Sequence, residues 1–251
     1  MQTLVQTEGI NNVQREYHKW HSPALNREME LLSYGHAGAR VLVFPTSCGR
    51  FFDWENRSMI ETLRHQIEQG WIQVFCLDSV DTESWFNTSI DNHAKTARHL
   101  QYHDYVINEV LPFTKQKNSN DFVIAAGASF GAYHSVSIAL HYPQHFNRVL
   151  GMSGVYDVRD WTNNYMDDYV AQGSPCEYLA RQHDPAHLDA IRKLEFVLPI
   201  GKLDPLFENN LWLSQLMWEK GIWHALRIWN EDAHDWPYWH QMIQMYLSGA
   251  D

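Results

Sequence analysis

The stretch Phe122-Val-Ile-Ala-Ala-Gly127-Ala-Ser129-Phe-Gly131-Ala-Tyr-His134 decides how the rest of the chain reads. Its first five residues are a compact apolar run, suited to a strand covered on both faces. Residues 130–141 carry a helical pattern that stops short of Pro143, which a helix interior does not accommodate. Between strand and helix, Gly127 and Gly131 flank Ser129 two residues to either side. In a sharp strand-to-helix turn, Cβ atoms at those two positions would collide with the neighbouring strand and helix. The serine then projects above the sheet, at a helix N-terminus whose dipole favours developing negative charge.

The same alternation extends in both directions. Two leading strands are predicted at 13–20 and 27–34, joined by a turn around Ser22, Pro23 and Asn26. Compact apolar runs then recur at 40–45, 72–78, 122–126, 148–152, 195–200 and 224–229. Helical patterns lie at 58–70, 95–110, 130–141, 210–220 and 237–247, with Gly70 and Gly221 as terminators and Pro237 in a first turn. This order predicts one domain over residues 1–251. Its architecture is α/β: a doubly wound, mostly parallel eight-stranded sheet with helices on both faces. Residues 154–194, rich in Trp, Tyr, Asp and His, fit least and read as a lid-like excursion over the sheet.

Composition narrows the function classes. Hydrophobic residues make up 45% and charged residues 20%, enough for a sizeable core. A net charge of −11 argues against nucleic acid or an anionic membrane as the main partner, because phosphate recognition needs a basic face. Three cysteines, Cys48, Cys76 and Cys176, form no disulfide or zinc pattern. Residues 1–12 are polar and no window of 18 apolar residues occurs, so a soluble, cytoplasmic protein without membrane insertion is expected. Aromatic residues reach 14%, which suggests an aromatic-lined pocket.

A serine hydroxyl needs a base to become a nucleophile. Of fifteen histidines, His234 sits between the last strand and the last helix, in Glu231-Asp-Ala-His234-Asp-Trp-Pro237, at the carboxyl end of a strand where active groups gather. The base needs a carboxylate to fix its tautomer, and Asp204, in Gly201-Lys-Leu-Asp204-Pro205, follows its own strand. Asp232 and Asp184 are rivals, the first too close in sequence to His234 to reach its ring easily. The resulting chain order is Ser129, Asp204, His234. An oxyanion site needs backbone N–H donors: Phe130 for one, and Ser47 or Cys48, in Thr46-Ser47-Cys48-Gly49-Arg50, for the other. Trp85, Phe86 and Trp161 are candidate pocket residues, with core or lid packing the alternative. Asp53, Glu55 and Arg57 read as a solvated helix start that could also meet a polar substrate group. His99 and His103, spaced i, i+4, lack a third ligand and read as solvated helix residues, so no metal is predicted.

With these residues in hand, the chain resembles the α/β-hydrolases of the "putative esterase" family, the group of esterase D-like enzymes and S-formylglutathione hydrolases. The likeness runs from about Arg40 to the end. It is carried by Gly127-Ala-Ser-Phe-Gly-Ala-Tyr-His134, His141-Tyr-Pro-Gln-His-Phe146, Met152-Ser-Gly-Val-Tyr-Asp157 and the His-Asp-Trp run at 234–236. Within that family the chain is most similar to a poorly characterised bacterial esterase-like branch, sharing Phe44-Pro-Thr-Ser47 and Asp78-Ser-Val-Asp81. The resemblance implies a Ser129, Asp204, His234 triad that hydrolyses a carboxylic ester or thioester through an acyl-enzyme, without metal or organic cofactor. Many relatives carry a His-Gly type oxyanion loop where this chain has Pro45-Thr-Ser-Cys48, so S-formylglutathione activity does not carry over. The same triad serves an acyltransferase with an alcohol acceptor, and the same fold serves a non-catalytic binding protein. The expected partner is a small-molecule ester; a homodimer is common for such folds.

Overall fold

The structure is a computed structural model that describes residues 2–5 and 13–247. Residues 1, 6–12 and 248–251 lie outside the described residues, and with them most of the polar N-terminal stretch and both ends of the expected single domain. In chain order the strands are β1 (Gln2–Val5), β2 (Arg15–Ser22), β3 (Arg27–Tyr34), β4 (Ala39–Phe44), β5 (Ile72–Leu77), β6 (Val123–Ala128), β7 (Arg148–Met152), β8 (Glu195–Gly201) and β9 (His224–Trp229). They form one sheet in the order β1-β2-β3-β5-β4-β6-β7-β8-β9. Pairs β1–β2, β2–β3 and β3–β5 are antiparallel, and the rest of the sheet is parallel. Among the described residues the count is nine, one more than the sequence predicts. Backbone pairing of Gln2–Val5 with β2 needs no apolar pattern, so nothing in that polar stretch announces it.

Why the central strands read as unbroken apolar runs is visible in β4. Leu42 and Phe44 join the core on one face of the sheet, while Val41 and Val43 join the core on the other. The alternation repeats in β5, where Phe75 and Leu77 face one way and Val74 and Cys76 the other.

The helices are α1 (Asp53–Asn56), α2 (Met59–Thr62), α3 (Arg64–Glu68), α4 (Asn92–Tyr105), α5 (Leu111–Lys117), α6 (Phe130–His141), α7 (Arg159–Thr162), α8 (Pro175–Arg181), α9 (Pro185–Ile191), α10 (Phe207–Glu219) and α11 (Trp236–Tyr246). The single helix expected over 58–70 is instead two short ones, α2 and α3, separated at Leu63, while Ser58 at φ 59° divides α2 from α1 before it. The helix expected over 95–110 runs further, through a π-helical turn at Val106–Val110 into α5. Pro112 cannot donate a hydrogen bond to the preceding turn, and the wider π turn absorbs that mismatch.

The stretch expected as an excursion, 154–194, divides in two. Cys176, Leu179, Leu188 and Ile191 of α8 and α9 belong to the same core as Leu42 and Phe196. Val155, Val158 and Val170 form a smaller cluster with Trp85, Phe130 and Tyr133, beside the start of α6. Among the described residues no helix is long and apolar enough to cross a membrane.

Candidate active site

Ser129 lies at the β6–α6 junction with φ 54° and ψ −118°, a conformation that disfavours a side-chain-bearing residue by about 1–3 kcal/mol. The glycines around it are sterically required. A Cβ on Gly127 would stand 2.2 Å from the Gly131 carbonyl carbon, and one on Gly131 would stand 2.4 Å from the Phe44 carbonyl oxygen. The Ser129 N–H donates to the Met152 carbonyl at 2.9 Å, tying the turn to the end of β7.

His234 Nε2 is 3.1 Å from Ser129 Oγ, and His234 Nδ1 is 2.8 Å from Asp204 Oδ2. The Asp204 side chain is fully buried, while that of His234 is 27% exposed. A carboxylate only accepts, so Nδ1 carries the proton and the Nε2 lone pair faces the serine hydroxyl. The other Asp204 oxygen accepts the Leu206 N–H at 2.8 Å, which fixes the carboxylate plane. The rivals are placed elsewhere: Asp232 is exposed, and Asp184 caps α9 by accepting the Ala186 N–H.

The loop carrying His234 is braced from below. A Cβ on Gly201 would fall 1.7 Å from the Asp232 carbonyl oxygen, so the end of β8 and this loop touch backbone to backbone. Ala233 is buried at φ 58°. Buried Ser153 donates to the Ala233 carbonyl at 3.0 Å and accepts from Trp239 Nε1 at 3.1 Å. The Trp239 ring meets His234 edge-on at 5.4 Å. Sequence reading missed Ser153, because a serine after a strand looks like any loop residue.

The loop after β4 is more constrained than its sequence suggests. Thr46 donates to Asp53 Oδ2 through both its N–H and its hydroxyl, each at 2.9 Å. The Gly49 N–H closes a turn onto the Thr46 carbonyl at 2.8 Å, with Cys48 at φ 56°. The Cys48 N–H donates to Asp81 Oδ2 at 3.0 Å. Of the two donors expected from this loop, Cys48 is therefore already engaged, whereas among the described residues the Ser47 N–H has no partner. Partial burial and the nearby Asp81 charge push the Cys48 thiol pKa up, against a nucleophilic role.

Asp53, expected as part of a solvated helix start, thus holds the loop after β4. Its neighbours are also committed: Glu55 pairs with Arg15 at 2.5 Å, and Arg57 lies 5.5 Å over the Trp236 ring.

Among the expected pocket residues, Trp85 is a core residue. It is 1% exposed, donates to the Tyr133 hydroxyl at 2.7 Å and presses its ring against Gly173. Phe86 and Trp161 are half-buried, with ring centroids 5.1 and 5.2 Å from Phe130 and 5.5 Å from each other. They form an aromatic flank beside the turn that carries Ser129.

His99 and His103 correct the sequence reading too. Both are buried, with rings 4.4 Å apart, and both reach Ser137 Oγ, at 3.2 and 3.3 Å. They face inward because α4 packs its histidine stripe against α6, and burial pushes both pKa values well down. Among the described residues no group of three or more His, Cys, Asp or Glu is arranged to hold a metal ion.

The family described as "Putative esterase" matches residues 55–248. No curated protein matches the chain. Among solved structures, the chain superposes on an S-formylglutathione hydrolase from Agrobacterium tumefaciens with a TM-score of 0.76 at 16% identity, covering 99% of this chain and 98% of that one. A ferulic acid esterase gives 0.74 at 16% identity, with 94% and 96% covered. An S-formylglutathione hydrolase from Staphylococcus aureus gives 0.69 at 17%, with 98% of each chain covered. At such identities the structural likeness speaks for the fold.

Proposed function

The chain belongs to the esterase family just matched, and on that premise we propose that it is a serine hydrolase cleaving a carboxylic ester or thioester with Ser129, His234 and Asp204. The observation that carries this reading is the continuous hydrogen-bonded chain from Ser129 Oγ through the His234 ring to buried Asp204. In the proposed reaction, His234 Nε2 takes the Ser129 proton as Oγ attacks the acyl carbonyl. Asp204 holds the ring and stabilises the imidazolium. The N–H of Phe130, a first-turn donor with no partner inside its own helix, and the N–H of Ser47 receive the oxyanion. The imidazolium returns the proton to the leaving alcohol or thiol. A water deprotonated by His234 then releases the acid and restores the serine.

The half-exposed rings of Phe86 and Trp161 suit an apolar or aromatic acyl group. A panel of nitrophenyl esters of rising acyl length, run on wild type and Ser129→Ala, tests the assignment. The expected result is turnover that depends on Ser129, with a chain-length preference broadened by Trp161→Ala. Equal turnover by Ser129→Ala removes the nucleophile from the account. Added alcohols separate hydrolysis from acyl transfer, since a transferase diverts the acyl group to the alcohol in preference to water.

A further inference from the structure

A second carboxylate–imidazole pair, Asp81 with His134, takes no part in the proton relay. His134 Nε2 donates to Asp81 Oδ1 at 2.8 Å, with side chains 1% and 0% exposed. We propose that Asp81 and His134 are positioning residues that set the oxyanion loop, an inference that rests on the hydrolase reading above.

The argument starts from the turn at 46–49. Three of its four N–H groups are committed: Thr46 to Asp53, Cys48 to Asp81, and Gly49 to the Thr46 carbonyl. Among the described residues only that of Ser47 is left for a reacting carbonyl. A positive φ at the third residue of a four-residue turn marks the type II arrangement, normally given to Gly or Asn. Cys48 occupies that position at φ 56°. The type I alternative, which removes that strain, requires the peptide between Ser47 and Cys48 to flip. Its N–H is the one that Asp81 Oδ2 holds. The carboxylate therefore keeps the turn in the strained form and fixes how Ser47 is presented.

Asp81 in turn needs an anchor, because a buried carboxylate is stable only when hydrogen-bonded. His134 supplies it from α6, the helix that begins with Phe130. The His134 ring is wedged among Phe130, Tyr102 and Phe44, at centroid distances of 5.2, 5.1 and 5.9 Å. Among the described residues its Nδ1 has no partner, and Nε2 is the atom that meets Asp81. Both oxyanion donors are thus referenced to one rigid element: Phe130 directly, and Ser47 through His134, Asp81 and Cys48. The Asp81 carbonyl also accepts the Phe86 N–H at 3.0 Å, placing the aromatic flank from the same residue.

The test compares wild type, Ser129→Ala, Asp81→Ala, Asp81→Asn, His134→Leu and His134→Gln. Readouts are kcat and KM on the best nitrophenyl ester, and the affinity of a trifluoromethyl ketone, whose hemiketal oxyanion requires the hole. Asp81→Ala is expected to lower kcat by about 10²-fold, in the range of losing one oxyanion donor, with KM little changed. Ketone affinity should fall in parallel. Asp81→Asn, whose amide oxygen can still accept from Cys48, and His134→Gln, whose amide can still donate to Asp81, are expected to recover most of the loss. If Asp81→Ala does not fold, His134→Leu reads the same effect with the carboxylate in place but unbraced. A folded Asp81→Ala or His134→Leu variant with wild-type kcat and ketone affinity, however lowered its Tm, overturns the proposal. Wild type without Ser129-dependent turnover instead overturns the hydrolase reading, and this inference with it.

Discussion

Ser129 shows most directly what the proposed function asks of a single residue. Its φ of 54° is strain that a residue chosen for stability alone would not carry. Replacing it with Gly removes the strain but adds unfolded-chain entropy, for a net stabilisation of about 1 kcal/mol. Urea unfolding of Ser129→Gly should show a raised midpoint, and Ser129→Ala, which keeps the Cβ, should show none; equal midpoints would remove the strain from the account. The meeting of the Ser129, His234 and Asp204 side chains was legible in the sequence because each follows its own strand, and the two glycines announce themselves by lacking a Cβ. Asp53, Asp81, His134 and Ser153 were not. Their roles come from partners distant in sequence, as when His134 meets Asp81 or Ser153 meets Ala233, and no local pattern encodes such a meeting.

At the scale of elements, the site depends on how closely loops approach strand ends. Gly201→Ala would force the Asp232 backbone away from β8 and shift His234 with it. A displacement near 1 Å can lower turnover about 10²-fold, so kcat should fall by that order, with fluorophosphonate labelling slowed to match. Unchanged kcat would show that the loop adjusts without moving the imidazole. The bounds of β3, β7, β9 and α6 follow their sequence patterns closely, because each is an uninterrupted strand or helix signal. The segment from 58 to 70 differs from the single helix expected: its apolar spacing is helical, but the backbone leaves helical geometry at Leu63 and two short pieces result, the first preceded by the left-handed Ser58. Burial of His99 and His103 was also hidden, since a polar face on α4 looks solvent-directed until α6 is packed against it.

For the molecule as a whole, buried neutral histidines set the response to acid. His18 is fully buried, and desolvation, with Lys117 nearby, lowers its pKa from 6.5 to about 4. The unfolded chain takes up that proton below pH 6.5 and the folded chain only near 4. The stability from His18 is therefore complete above pH 6.5 and is lost as pH falls to about 4, on the order of 3 kcal/mol. His99 and His103 act in the same direction. Urea midpoints should fall steadily between pH 6.5 and 4, less steeply in His18→Gln; a flat profile would contradict the burial of these rings as neutral groups. The doubly wound sheet was predictable because its strands are buried on both faces, and that sheet brings the ends of β6, β8 and β9 to one rim. The central claim, that this rim activates one serine, is tested most directly by treating folded protein with a fluorophosphonate and mapping the adduct by peptide mass spectrometry. The account predicts one phosphonylated residue, Ser129, with labelling abolished in Ser129→Ala and strongly slowed in His234→Ala. An unlabelled wild-type protein, or an adduct on any other residue, would contradict it.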